Sequence, residues 1–165
     1  MPTPEEAAHL MLDLYTNGEP HAYPIDPVEI ARSFGINVYK SRLSNTLSGM
    51  IGRRDHGAET DLVINSEHAP VRQRFTIAHE LGHYFAVTQD AQRAQEPFLH
   101  RRDQLAACGT NHEEIFANKF AAELLMPTNE VRRLHRVGKS APELARYFRV
   151  SLDAMSNRLS NLGLV

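Results

Sequence analysis

The chain has 165 residues, of which 42% are apolar and 23% charged, with a formal net charge of −2. That size carries one globular domain with its own core, and no apolar run approaches the eighteen residues that a membrane-spanning helix needs, which excludes a membrane role. The acidic start Met1-Pro2-Thr3-Pro4-Glu5-Glu6 lacks a signal-peptide pattern, and the single cysteine, Cys108, rules out an internal disulfide and points to the cytosol.

In chain order, Thr3-Pro4-Glu5-Glu6 reads as an N-cap, a proline at the first helical position and a capping-box glutamate, so a helix is expected to run to about Tyr15. Asn17-Gly18 and the prolines at 20 and 24 mark a loop. Asp26-Pro27-Val28-Glu29 repeats the start signal, and Gly35 closes that short helix. Three strand-like runs follow at 36–40, 48–53 and 62–65, with Gly57 in a hairpin turn between the last two. The spacing then predicts a helix over about 70–86. Residues 88–111 show no clear periodicity, and a stretch of that length in a small domain is usually functional or mobile. Helices are expected again over about 113–126, where Pro127 stops the helix, and over 128–137, ended by Gly138.

The helix over 70–86 contains His79-Glu80-Leu81-Gly82-His83. Residues i and i+4 lie one above the other on a helix, so both imidazoles can reach one metal ion. Glu80 stands beside them, where it can take a proton from a water at the ion. Ala78, Leu81 and Phe85 form a separate apolar face. By composition alone this pattern would arise with a probability of ~0.04, so the pattern needs a third ligand to carry weight. A catalytic zinc takes three protein ligands and keeps one position open. A longer motif with Gly at 86 and His at 89 is excluded by Ala86 and Gln89.

The third ligand is expected on the helix over 113–126. There Phe116, Phe120 and Leu124 form a core stripe, while Glu114 and Asn118 share another face. Glu114 would reach the ion, and Asn118, one turn on, could accept a hydrogen bond from a ligand histidine and set its tautomer. Glu113 remains an alternative, although one residue turns the side chain by about 100°. Cys108 has two sharp readings, nucleophile or inhibitory zinc ligand, against the plain one of a small hydrophobe.

Charge is uneven. Residues 1–130 hold 11 Lys/Arg against 18 Asp/Glu, a net of −7, and residues 131–165 hold seven against two, a net of +5. Within the basic part, Ser140-Ala141-Pro142-Glu143 opens a helix with a capping box, and Ser151 caps a second one carrying Leu152, Met155 and Leu159. Two short helices joined by a tight turn read as a helix-turn-helix-like pair. The second helix offers only Asn157, Arg158 and Asn161 as long polar side chains, which favours packing over DNA contact.

The segments "RQRFTIAHELGHYF" and "EEIFANKFAAELLMP" resemble the ImmA/IrrE-type zinc metallopeptidases of bacteria and their mobile elements, with a similarity running from about Asp26 to the end. The resemblance implies one zinc per chain held by His79, His83 and Glu114, with Glu80 as the catalytic base. Phe116 departs from the pattern, since many relatives carry a second acidic residue there, and this makes Glu114 the clearer ligand. The resemblance also implies a cytoplasmic endopeptidase whose protein substrate is a helix-turn-helix transcriptional repressor encoded nearby, cut to release a stress or mobile-element response.

The expected build is α+β: a small antiparallel sheet packed on the His79 helix and the Glu114 helix, with residues 1–138 as the peptidase domain and 139–165 as the helix-turn-helix-like segment packed on it. Strand 62–65 could be an edge that pairs with an extended substrate, or an ordinary internal strand. For the oxyanion donor, His100, His112 and Tyr84 are at hand, and the sequence does not choose among them. The rival class is a non-proteolytic regulator with structural zinc that binds a repressor, an antitoxin-like partner or DNA. The intact Glu80 argues against it, because a structural site has no use for a base.

Overall fold

Thr3 caps α1 (Pro4–Thr16) with a complete capping box to Glu6, and Asp26 caps α2 (Pro27–Ser33) through Val28 N. The computed structural model describes residues 1–103 and 111–165; Cys108 and its assigned roles lie outside the described residues. After α2 come β1 (Ile36–Ser41), β2 (Leu47–Arg53), β3 (Thr60–Asn65) and α3 (Pro70–Thr88). The chain continues with β4 (Phe98–Asp103), α4 (His112–Leu125), α5 (Thr128–Arg136), α6 (Ala141–Phe148) and α7 (Leu152–Asn161). No helix among the described residues is long and apolar enough to cross a membrane.

The sheet order is β1-β3-β2-β4. β2 and β3 form the antiparallel hairpin expected around Gly57, and β4 pairs antiparallel with β2. β1, however, lies parallel to β3, so the sheet is mixed and not purely antiparallel. Asn65 braces this arrangement. Its fully buried amide donates to the carbonyls of Ser44 and Leu47 at 3.1 and 3.0 Å and accepts from Glu67 N at 3.0 Å. These bonds hold the β1–β2 link against the end of β3, where it crosses to the strand's far side. β3 is internal, and the edge-strand reading of residues 62–65 is corrected: among the described residues the edges are β1 and β4.

β4 falls inside the stretch that showed no periodicity. Its exposure alternates, with Phe98, His100 and Arg102 half-buried and Leu99, Arg101 and Asp103 exposed. Only two of its six residues are apolar, too few to register as a strand pattern.

Two glycines let the sheet and α4 close on α3. A Cβ at Gly49 on β2 would sit 2.8 Å from Thr76 Cγ2, and one at Gly82 on α3 would sit 3.0 Å from Ala117 Cα on α4. The apolar residues of α6 and α7, among them Leu144, Phe148, Met155 and Leu159, belong to the same buried cluster as Ile51, Ile77 and Phe120. Arg74 on α3 ties this end down, donating to Ile25 O at 2.7 Å and to Arg149 O at 3.1 Å.

Candidate metal centre

α3 places His79, Glu80 and His83 inside the protein, with exposures of 0%, 0% and 6%. α4 brings up Glu114 in its first turn, where the Asn111 side chain caps the helix by accepting from Glu114 N at 2.8 Å. The close approach at Gly82 brings the two helices together one turn from these side chains. His79 Nε2 and His83 Nε2 are 3.1 Å apart. Glu114 Oε2 lies 3.2 Å from His79 Nε2, and Glu114 Oε1 lies 3.1 Å from His83 Nε2. Glu113 is exposed and stands outside this group.

Asn118, one turn beyond Glu114, meets His79 Nδ1 with its Oδ1 at 2.9 Å. An amide oxygen only accepts, so Nδ1 carries the proton and the Nε2 lone pair faces Glu114 and His83. Burial lowers the pKa of His79, and burial together with the charges of His100 and His79 lowers His83 to about 3. Burial alone would raise Glu114, but its contacts with His79, His100 and His83 outweigh that and hold it at about 2. Two neutral imidazoles and one carboxylate are the protonation states that metal ligation requires.

Of the three side chains considered for the oxyanion, His100 is the one the fold brings in. Its Nδ1 lies 2.7 Å from Glu80 Oε2 and its Nε2 lies 2.7 Å from Glu114 Oε1. Its ring stacks on that of His83 with centroids 3.3 Å apart. Burial alone would lower the His100 pKa; the hydrogen bonds and charges of Glu80 and Glu114 outweigh it and raise it. Tyr84 is half-buried and His112 exposed, and neither joins the cluster.

The donor set fits a zinc ion. Bonds of about 2.0–2.1 Å in a tetrahedron put ligand atoms about 3.3 Å apart; the two Nε2 atoms are 3.1 Å apart, and each has one Glu114 oxygen near that distance, Oε2 at 3.2 Å from His79 and Oε1 at 3.1 Å from His83. Glu114 Oε2 and Glu80 Oε1 are buried without a hydrogen-bond partner among the described residues. Such orphan atoms are costly unless an ion or water completes them. With His100 included, four candidate ligand atoms lie within 4.8 Å of one another.

The profile of Peptidase_M78, described as the IrrE N-terminal-like domain, matches residues 31–160. The chain is 32% identical over 102 residues to "Uncharacterized immunity region protein 2" of Bacillus phage phi105, covering 62% of this chain and 59% of that protein. It is 29% identical over 139 residues to the radiation response metalloprotease IrrE of Deinococcus deserti, covering 74% of this chain and 48% of that protein. The chain thus spans about half the length of the curated relatives it matches. A Mycobacterium tuberculosis transcriptional regulator superposes with a TM-score of 0.61 at 22% identity, over 94% of this chain and 47% of that one, a likeness of fold alone. With the helices of His79 and Glu114 both inside the matched span, the chain belongs to the Peptidase_M78 family of IrrE N-terminal-like domains.

Proposed function

We propose that this chain is a zinc-dependent endopeptidase, with His79, His83 and Glu114 as ligands and Glu80 as general base. One observation carries the reading: Glu80 Oε1, a buried carboxylate oxygen without a hydrogen-bond partner among the described residues, stands beside two imidazole nitrogens and a carboxylate at the 3.1–3.2 Å spacings of zinc ligands. Zinc bound there would supply a Lewis acid that polarises a scissile carbonyl and lowers the pKa of water toward ~7.

The chain's own groups supply the rest. His100 Nδ1 holds Glu80 Oε2, which leaves Oε1 to take the proton of the attacking water and return it to the leaving amine. Asn118 fixes the His79 tautomer. β4 pairs only on its β2 side among the described residues, so its outer edge can receive an extended peptide next to His100. The substrate in this reading is a helix-turn-helix transcriptional repressor, cut in the cytoplasm to switch a stress or mobile-element response. Its support is the immunity-region name of one relative and the radiation-response name of the other.

A second reading has one observation of its own. His100 stands close enough to the other three to complete four protein ligands, as in a structural zinc site of a non-proteolytic regulator. Elemental analysis and cleavage assays separate the two. The peptidase reading expects about one zinc per chain, lost in the His79→Ala, His83→Ala double variant, and chelator-reversible cleavage of the repressor. Glu80→Gln should keep the zinc and lose cleavage by at least ~10²-fold, the range for removing a general base. A Glu80→Gln protein that cuts at the wild-type rate refutes the base assignment. Loss of zinc on His100→Ala alone would favour the four-ligand reading.

A further inference from the structure

Two cavities flank the metal centre along the same three elements. One, of about 450 Å³, is lined by His83, Ala86 and Val87 on α3, Phe98 and His100 on β4, and Phe116 on α4. The other, of about 830 Å³, is lined by Arg72 and Phe75 on α3, Arg102 on β4, and Asn118 and Lys119 on α4. The first set contains His83 and His100 of the cluster, and the second lies toward the start of α3 and the ends of β4 and α4. The first cavity mixes apolar side chains with Arg93, His112 and Glu113 and has no excess of one charge. The second is basic, with Arg72, Arg102, Lys119 and Arg158 against one acid, Glu5.

Arg158 is already paired with Glu123. Arg102 has no ion pair within 4 Å among the described residues: its guanidinium meets the Asn118 amide oxygen at 3.4 Å and the ring of Phe75 at 5.2 Å, and the carboxylates of Glu80 and Glu114, which belong to the metal centre, act on it only through space. Residues 104–110, which follow it closely, contain no Asp or Glu. A half-buried guanidinium with five donors and, among the described residues, one long hydrogen bond is matched best by a carboxylate.

Register determines where that carboxylate would come from. His100 and Arg102 alternate onto the same face of β4, two residues and about 6.8 Å apart. A peptide strand added to the β4 edge places its side chains on the faces of those directly opposite. The peptide residue level with His100 then faces the metal centre, and the residue two positions away faces Arg102 and the basic cavity. We propose that Arg102, with Arg72 and Lys119, forms a subsite that selects substrates carrying an Asp or Glu two residues from the one at the metal centre. This rests on the peptidase reading above.

The test uses the full-length zinc-loaded chain and a mixture of decapeptides randomised at all central positions, with cut sites read by mass spectrometry. Binding of single Glu and Gln peptides to the zinc-loaded Glu80→Gln variant gives a readout free of turnover. Wild type should favour Glu over Gln at the one position by about tenfold or more, the order expected of a charge-assisted contact. Arg102→Gln should bring that ratio near one while zinc content stays. Lys119→Glu, at an exposed position, should lower it by a few-fold even where Arg102→Gln fails to fold. Equal handling of Glu and Gln by wild type, or a preference unchanged in both variants, overturns the subsite and leaves the peptidase standing. A loaded protein that neither binds nor cuts any peptide of the mixture overturns both.

Discussion

Gly82 governs the candidate centre from the α3–α4 contact, without belonging to the ligand group. Its missing Cβ leaves room for the backbone of α4 at Ala117, three residues after Glu114. A Val at 82 would meet Ala117 Cα and Phe120 Cδ1, at 3.0 and 3.2 Å already for the Cβ. The nearest atom is backbone inside a helix and yields only if α4 moves. Gly82→Val should therefore destabilise the fold by about 1–3 kcal/mol, the usual overpacking cost, and weaken zinc binding together with it, because Glu114 moves with α4. Thermal unfolding and a zinc titration check this; unchanged zinc affinity in a destabilised protein would show that α4 absorbs the strain locally. At this scale the sharing of one helix face by His79 and His83, and of another by Glu114 and Asn118, was legible, because it follows from i, i+4 spacing; the meeting of the two faces depends on the α3–α4 contact. The place of His100 was not, since nothing local to β4 reveals what lies beneath it.

Among elements, one buried ion pair joins α4, α5 and α7. Glu123 is 1% exposed; it bonds Arg158 and accepts from Thr128 N at 3.0 Å and Thr128 Oγ1 at 2.7 Å, with His9 Nε2 2.9 Å away on α1. Arg158, read in sequence as a side chain able to reach DNA, is thus buried and spoken for, at 7% exposure. Leu152, read as apolar packing, is instead 50% exposed. Burial alone would raise the Glu123 pKa, but the Thr128 hydrogen bonds and Arg158 outweigh it and lower it from the ordinary 4.5. A depressed carboxylate stabilises the fold above its unfolded value, and that contribution is lost as pH falls below about 4.5 toward the folded value. Glu123→Gln leaves Arg158 buried without its counter-charge and should cost about 3–5 kcal/mol at neutral pH. Its stability should also fall less steeply on acidification than that of wild type. Denaturant midpoints of both proteins across pH 3–7 decide it; parallel curves would assign the acid sensitivity to other groups.

For the whole molecule, we propose that residues 139–165 fold as one unit with the rest and do not hold DNA alone. Leu144, Phe148, Met155 and Leu159 are each no more than 3% exposed. At about 1.5–3 kcal/mol per buried side chain, their loss rivals the 5–15 kcal/mol that a domain possesses in total. Removing residues 140–165 also strips Glu123 of Arg158. The truncated chain should be poorly soluble and lack a cooperative unfolding transition. Circular dichroism on heating tests this, and a wild-type midpoint would show that the segment is independent. The +5 of residues 131–165 against the −7 of residues 1–130 offers internal attraction without any phosphate.

By itself the sequence determined the helices that start with local caps, the hairpin at Gly57 and the His-Glu-His stripe, because each is decided within a few residues by hydrogen bonds and periodicity. Only the tertiary structure decided that β1 runs parallel to β3, that β4 is the edge beside the centre, that His100 bridges Glu80 and Glu114, and that Arg158 is buried. Each of these depends on contacts between residues distant in sequence, such as Asn65 with the β1–β2 link or Arg158 with Glu123, and spacing along one chain carries no record of such contacts.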